Sequence, residues 1–256
     1  MKSLPQADRR KDEFLAILPH ELRNPLAPLR NGLPMIGLAR PEGTIERARS
    51  MMDREVTQLV RLVDGLFDIS RVTSGKLELR KALTELRPVI DAAVETSQPG
   101  IEQAGPELTV DMPDEAILVD GDAARLAQVV SNLLDNSAKY VHRNGHVRLT
   151  VGHEGGTAVV SVKDDGIGIP PAMRGRVFEM FIQVDRTLER TTGGLGIGLS
   201  PVKGLLALHG GTIDAKSDGE GLGSEFVIRL PMARPRSPWR PSSGPTWCRW
   251  TSACPR

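Results

Sequence analysis

At 256 residues, with 39% hydrophobic and 25% charged side chains, the chain is sized for one or two domains with proper cores. No run of about 18 apolar residues occurs, so no membrane segment is expected in this chain. The start MKSLPQADRRKDEF lacks the apolar core of a signal peptide. The net charge of +1 gives no case for nucleic-acid binding.

Residues 8–38 carry helical spacing, with Phe14, Leu15, Leu18 and Leu22 on one stripe. After a break at PEG (41–43), residues 44–73 predict a second helix. Ile45, Met52, Val56, Leu59, Val63, Leu66 and Val72 fall on it at near-heptad spacing. Thr44 is its candidate cap and Gly75 its stop. A hairpin with one wide apolar stripe cannot bury that stripe alone. Packing on the rest of the chain is one remedy; pairing with a second copy as a four-helix bundle is the expected one.

From residue 76 the pattern turns to mixed α and β. LELRKAL reads as strand, 86–103 as helix, and ELTVDM and AILVD as short strands. Asp122 caps a helix running to about Tyr140. RLTVGH and TAVVSVKD read as strands paired around EGG. GGLGIGLSPVKGLLALHG is a glycine-led helix stopped by Gly210 and Gly211. GTIDAKS and SEFVIRL close the domain around a Gly-rich turn. The expected fold is an α+β two-layer sandwich, one sheet with helices on one face, and not a parallel βαβ fold. The division expected is a helical hairpin over 1–75, the α+β domain over 76–233, and a tail over 234–256.

The tail RPRSPWRPSSGPTWCRWTSACPR holds five arginines, all three tryptophans, both cysteines, and no Leu, Ile or Val. Without it, residues 1–233 stand at −4 (+1 minus five arginines). It cannot build a core, so a disordered or aberrant, frame-shifted end is expected. The cysteine-free body suits a reducing compartment, and a cytoplasmic location is expected.

Three stretches carry candidate chemistry. In QVVSNLLDNSAKY, Val129, Val130, Leu133 and Leu134 make a buried face, while Asn132 and Asn136 share another. Lys139 and Tyr140 continue that second face. Stacked asparagines cost helix stability, so either they simply face water or they hold a ligand: an amide oxygen on Mg²⁺, with a lysine on phosphates. In VKDDGIGIP, Asp164 leaves a strand and meets Gly166 and Gly168. Glycines admit a ligand close to the backbone, and a carboxylate there accepts an exocyclic N–H; Asp-Gly is also ordinary turn chemistry. In TGGLGIGL, glycines 193, 194, 196 and 198 open a helix whose N–H groups suit phosphate. That stretch follows a loop and lacks GK[ST], so it is neither a dinucleotide fingerprint nor a P-loop.

Taken in order, these motifs resemble the sensor histidine kinases, over residues 8 to about 232. The chain looks like the catalytic core of a hybrid-type kinase, with a nucleotide domain similar to the GHKL (Bergerat-like) ATPases. HELRNPLAPL resembles the phosphoacceptor box, NLLDNSAKY the N box, DDGIGI the first glycine box, VFEMF the F box and GGLGIGL the second glycine box. The resemblance implies that ATP phosphorylates His20, whose imidazole is a good nitrogen nucleophile near neutral pH. Glu21 would accept the proton of the other ring nitrogen, and Asn24 is similar to the polar residue that the family uses one turn on.

By the same resemblance Asn136 is the Mg²⁺ ligand with Asn132 in support, Lys139 holds phosphates and Tyr140 lies against the adenine. Asp164 accepts from the adenine amino group, with Gly166 and Gly168 shaping that pocket. Gly194, Gly196 and Gly198 line the phosphates, and Phe178 and Phe181 anchor a lid over roughly 171–192 that carries Arg186 and Arg190. The implied activity is autophosphorylation followed by transfer to an aspartate of a response regulator receiver domain on another chain. A catalytically weak, nucleotide-binding dimeric scaffold is the alternative. His142, His146, His153 and His209 read as structural or solvent-facing.

Departures from the family pattern are local. Pro19 precedes His20 where the family has a small residue, and a mid-helix proline costs roughly 3 kcal/mol. Pro34 repeats the problem. Ser137 stands where alanine is more usual.

Overall fold

The structure is a computed structural model that describes Leu26, Leu29 and residues 44–179 and 199–233. Of the first expected helix only Leu26 and Leu29 fall within these residues, and both are helical. Pro19, Pro34 and the 234–256 tail lie outside them.

Thr44–Thr73 form α1, the second expected helix. Gly75 ends it in left-handed backbone (φ 65°), which lets the Lys76 N–H donate to the Arg71 carbonyl at 2.9 Å. Val56, Val60, Val63 and Phe67 recur along one side of α1 and remain 39% to 58% exposed. Among the described residues they form an exposed apolar stripe.

There follow β1 (Ala82–Glu85), α2 (Leu86–Ala104), β2 (Glu107–Asp111), β3 (Leu118–Gly121) and α3 (Ala123–Tyr140). Then come β4 (His146–Glu154), β5 (Thr157–Asp164), a 3-10 turn at Pro171–Met173, α4 (Ser200–Leu208), β6 (Thr212–Lys216) and β7 (Ser224–Pro231). The main sheet has the order β2-β4-β5-β7-β6, with α2, α3 and α4 on one face. It is an α+β two-layer sandwich. The other face is largely polar, with Arg148–Asp111, Lys216–Glu225 and Arg229–Asp214 pairs in solvent around Val159 and Val227.

Three details differ from the expectation. β1 and β3 form a small antiparallel sheet of their own, so there are two sheets among the described residues. The strand expected at LELRKAL begins only at Ala82, because its partner β3 ends at Gly121 and the chain turns there into α3. The main sheet is also mixed: β2 pairs parallel with β4, and its other neighbours are antiparallel.

Period 2 in the strands and about 3.6 in the helices fill the space between the layers. Val147, Leu149 and Val151 point inward from β4, Ala158, Val160 and Val162 from β5, and Phe226, Ile228 and Leu230 from β7. Leu126, Val129, Val130, Leu133 and Leu134 of α3 meet them, as do Val202, Leu205 and Leu206 of α4. Asp122 caps α3 as expected, its carboxylate accepting from Arg125 N at 3.2 Å. Burial raises the Asp122 pKa, but backbone N–H groups of Arg80, Arg125 and Ala124 outweigh it and hold the carboxyl below its ordinary value.

His209 locks α4 to the start of α3. It is buried, with Nε2 3.0 Å from the Asp122 backbone N and Nδ1 2.7 Å from the Leu205 carbonyl oxygen. Asp122 N–H can only donate, so Nε2 is the bare acceptor and Nδ1 carries the proton. Gly121 lies close beside it: a Cβ there would stand 2.6 Å from Leu126 Cδ1 and 3.1 Å from the His209 ring, so the Leu126 side chain would have to shift. Burial lowers the His209 pKa, and Lys81 adds to this, against the pull of the Leu205 carbonyl, Asp122 and Asp120.

The neutral ring therefore favours the fold. This contribution is complete above the unfolded histidine value, about 6.5. It is lost as pH falls towards and through the lower folded value. Thermal unfolding followed by circular dichroism between pH 8 and pH 5 should show a steeper loss in the parent than in His209→Gln. Parallel curves would contradict this role.

Candidate functional site

The site begins where three apolar rows end in polar residues. The inward row of β5 runs Ala158, Val160, Val162 and then Asp164, which is 4% exposed. The inward row of β7 starts at Ser224, and the strand register sets Ser224 directly opposite Asp164. The last turn of the buried stripe of α3 includes Ser137, which is 0% exposed. Strand alternation thus carries a carboxylate into the interior, where it needs donors.

It has four. Asp164 Oδ1 accepts from the backbone N–H of Gly166 at 3.0 Å and of Ser224 at 3.3 Å. Oδ2 accepts from the Ser224 hydroxyl at 2.6 Å and the Ser137 hydroxyl at 3.2 Å. The neighbouring Asp165 points the other way, as strand alternation requires. Its carboxylate accepts from His146 N at 2.8 Å and pairs with His146 Nδ1 at 3.1 Å. Burial raises the Asp165 pKa, but these His146 contacts prevail and leave it below the ordinary value.

The loop after Asp164 runs against two backbones. A Cβ at Gly166 would overlap the Tyr140 carbonyl, and one at Gly223 the Asp164 carbonyl. Gly168 combines φ 73° with a carbonyl of Gly219 where its Cβ would lie. Ile167 N donates to the Tyr140 carbonyl at 3.1 Å, and Gly221 N and Gly223 N donate to the Ile167 and Gly166 carbonyls at 2.6 and 3.0 Å. Ser217 Oγ accepts from Ile169 N at 2.9 Å and donates to the Gly223 carbonyl at 2.7 Å. Segments 166–169 and 217–223 are therefore zipped together beside the end of α3.

On α3, Asn132, Asn136, Lys139 and Tyr140 are half-buried, whereas Val129, Val130, Leu133, Leu134, Ser137 and Ala138 are buried. The two asparagines and the Lys139–Tyr140 pair do form the open face. The Lys139 ammonium lies 4.7 Å from the centroid of the Tyr140 ring, a cation–π contact. Phe178, past the 3-10 turn, meets the buried Phe226 edge-on, with centroids 6.2 Å apart at 77°. It fastens the start of the expected lid segment to the core. His20, Glu21, Asn24, Phe181, Gly194, Gly196, Gly198, Arg186 and Arg190 lie outside the described residues.

The structure thus brings Tyr140, Asp164, Gly166 and Gly168 to one end of the sandwich, with Asn132, Asn136 and Lys139 along the open face of α3. It adds what the sequence reading gave no role: the hydroxyl of Ser137, that of Ser224, and the 217–223 wall. Their signal was present. Seven residues separate β6 from β7, more than a tight hairpin turn needs, and three of them are glycine.

Two family models match the chain. Residues 10–75 match the His Kinase A (phospho-acceptor) domain, and residues 121–234 match the histidine kinase-, DNA gyrase B- and HSP90-like ATPase. The sensory/regulatory protein RpfC of Xanthomonas campestris pv. campestris is 34% identical over 89% of this chain and 32% of its own length. The sensor histidine kinase WalK of Bacillus subtilis is 32% identical over 88% of this chain and 37% of its own. This chain therefore spans about a third of the length of these relatives. Among solved structures, full-length ShkA in complex with AMPPNP is 28% identical, with a TM-score of 0.63 over 89% of this chain and 47% of that one.

The Asp164 network is testable by itself. Asp164→Ala leaves two amides and two hydroxyls without their acceptor and should cost at least about 2 kcal/mol in urea unfolding. Asp164→Asn should cost less: its amide oxygen keeps the two N–H donors, and its N–H groups can donate to the two serine hydroxyls. Equal effects of the two substitutions would show that the network does not hold the site.

Proposed function

The chain belongs to the sensor histidine kinases, carrying their phospho-acceptor and ATPase domains, and on that premise we propose that it autophosphorylates His20 from ATP and passes the phosphoryl group to an aspartate of a response regulator. The observation that carries the nucleotide half of this reading is the buried Asp164 carboxylate. It sits beside a glycine loop that a Cβ would fill, at the mouth of the open face of α3.

In this reading the Asp164 carboxylate accepts an N–H of the adenine amino group, and Tyr140 lies against the ring. Gly166 and Gly168 let the base approach the backbone. Lys139 and the N–H groups of Gly194, Gly196 and Gly198 take the phosphates. The donor set of α3 fits Mg²⁺, since Asn136 and Asn132 offer amide oxygens one turn apart on its open face. When bound, Mg²⁺ neutralises phosphate charge. Phe178 and Phe181 anchor the lid that closes over the nucleotide.

His20 is the nucleophile toward the γ-phosphate. Glu21 takes the proton of its other ring nitrogen, and Asn24 is the polar residue beside it. The exposed Val56, Val60, Val63 and Phe67 stripe supports a homodimer through the helical hairpin. The working division is residues 1–75 for dimerisation and phosphoacceptance, 76–233 for ATP binding, and 234–256 as tail. A cytoplasmic location suits a kinase fuelled by ATP. Among the described residues no helix is long and apolar enough to cross a membrane.

Incubation with γ-labelled ATP and Mg²⁺ should give an acid-labile, base-stable label on the parent and none on His20→Gln or Asn136→Asp. Label on His20→Gln would contradict the assignment. ATP bound by the parent without any label would favour a nucleotide-binding scaffold instead.

A further inference from the structure

We infer that Ser137 sets the affinity of the nucleotide site by competing with the base for the Asp164 carboxylate. This rests on the reading of Asp164 as the acceptor for the base amino group. A carboxylate offers about four lone-pair positions, and the protein already fills four on Asp164. Gly166 N–H and Ser224 N–H take Oδ1, and the Ser224 and Ser137 hydroxyls take Oδ2. An incoming N–H has to replace one of them.

The four are not equally replaceable. The two amides are held by the backbone, one in the glycine loop and one at the first residue of β7. The Ser224 hydroxyl makes the shortest contact, at 2.6 Å. The Ser137 hydroxyl makes a long contact to Oδ2, at 3.2 Å, and turns about a single side-chain torsion. Ser137 also has a second acceptor within local reach, because a helical serine can donate to the carbonyl four residues back, here that of Leu133. The Ser137 hydroxyl is therefore the donor that yields. Ordering the base costs the protein a charge-assisted hydrogen bond and returns a weaker neutral one. The bond that stabilises the empty pocket thereby weakens nucleotide binding.

A merely structural serine and a competing one predict opposite signs. Alanine is the best helix former, so Ser137→Ala tests the hydroxyl alone. Calorimetric binding of ADP and of IDP to the whole chain, with urea unfolding in parallel, separates the cases; IDP presents a carbonyl where ADP has the amino group. Ser137→Ala should unfold at lower urea yet bind ADP about three- to tenfold more tightly, with IDP binding unchanged. Unchanged or weaker ADP binding in the less stable variant would overturn the proposal, as would an equal gain for both bases. A parent that does not distinguish ADP from IDP would overturn the base-recognition reading itself, and this proposal with it.

Discussion

A carboxylate inside a protein must be met by donors, and the end of this sandwich is arranged around that constraint. Asp164 is carried inward by the alternation of β5, not by any choice made at the site. Once it is there, β7 has to begin with a residue that offers both an N–H and a hydroxyl, and Ser224 does. The chain also has to turn back at once to present the Gly166 amide. The end of α3 has to supply a small polar residue in its buried stripe, and Ser137 fills that place. Three elements distant in sequence are pinned to one side chain, and this end of the sandwich is fixed by it.

The same logic reaches outward. The glycine loop approaches the end of α3 so closely that its amide bonds to the Tyr140 carbonyl, which leaves no room for a Cβ at Gly166. The 217–223 segment zips onto that loop by backbone bonds and needs Gly223 for its own approach to Asp164. On the other side, His209 ties α4 to the cap of α3, so the helix that carries the asparagines is held at both ends. The half-buried face of α3 is what these attachments leave open.

Much of this was legible in the residues. Apolar spacing gave α3 its buried and open faces, and Asp122 and Gly75 marked helix ends where the structure has them. Motif order identified the family. The alternation in TAVVSVKD already implied an inward Asp164, since Ala158, Val160 and Val162 share its phase. Ser137 stands where alanine is more usual, and helical spacing from Val130 and Leu133 puts it in the core, where a hydroxyl must find an acceptor. The pairing of Asp164 with Ser224 was not legible, since strand register between β5 and β7 is a long-range fact. The same holds for the short β1 and the parallel β2–β4 pair, which depend on which strand lies alongside.

The central claim is that the Asp164 network and the loops zipped to it form the base end of a nucleotide site. Backbone amide exchange with and without AMPPNP and Mg²⁺ tests it most directly. The account predicts slower exchange at Gly166, Ile167, Ile169, Gly223 and Ser224 and at the end of α3, with β1 and β3 unchanged. Unaltered exchange across these loops in a chain that binds the analogue, or protection centred on another part of the sandwich, would contradict it.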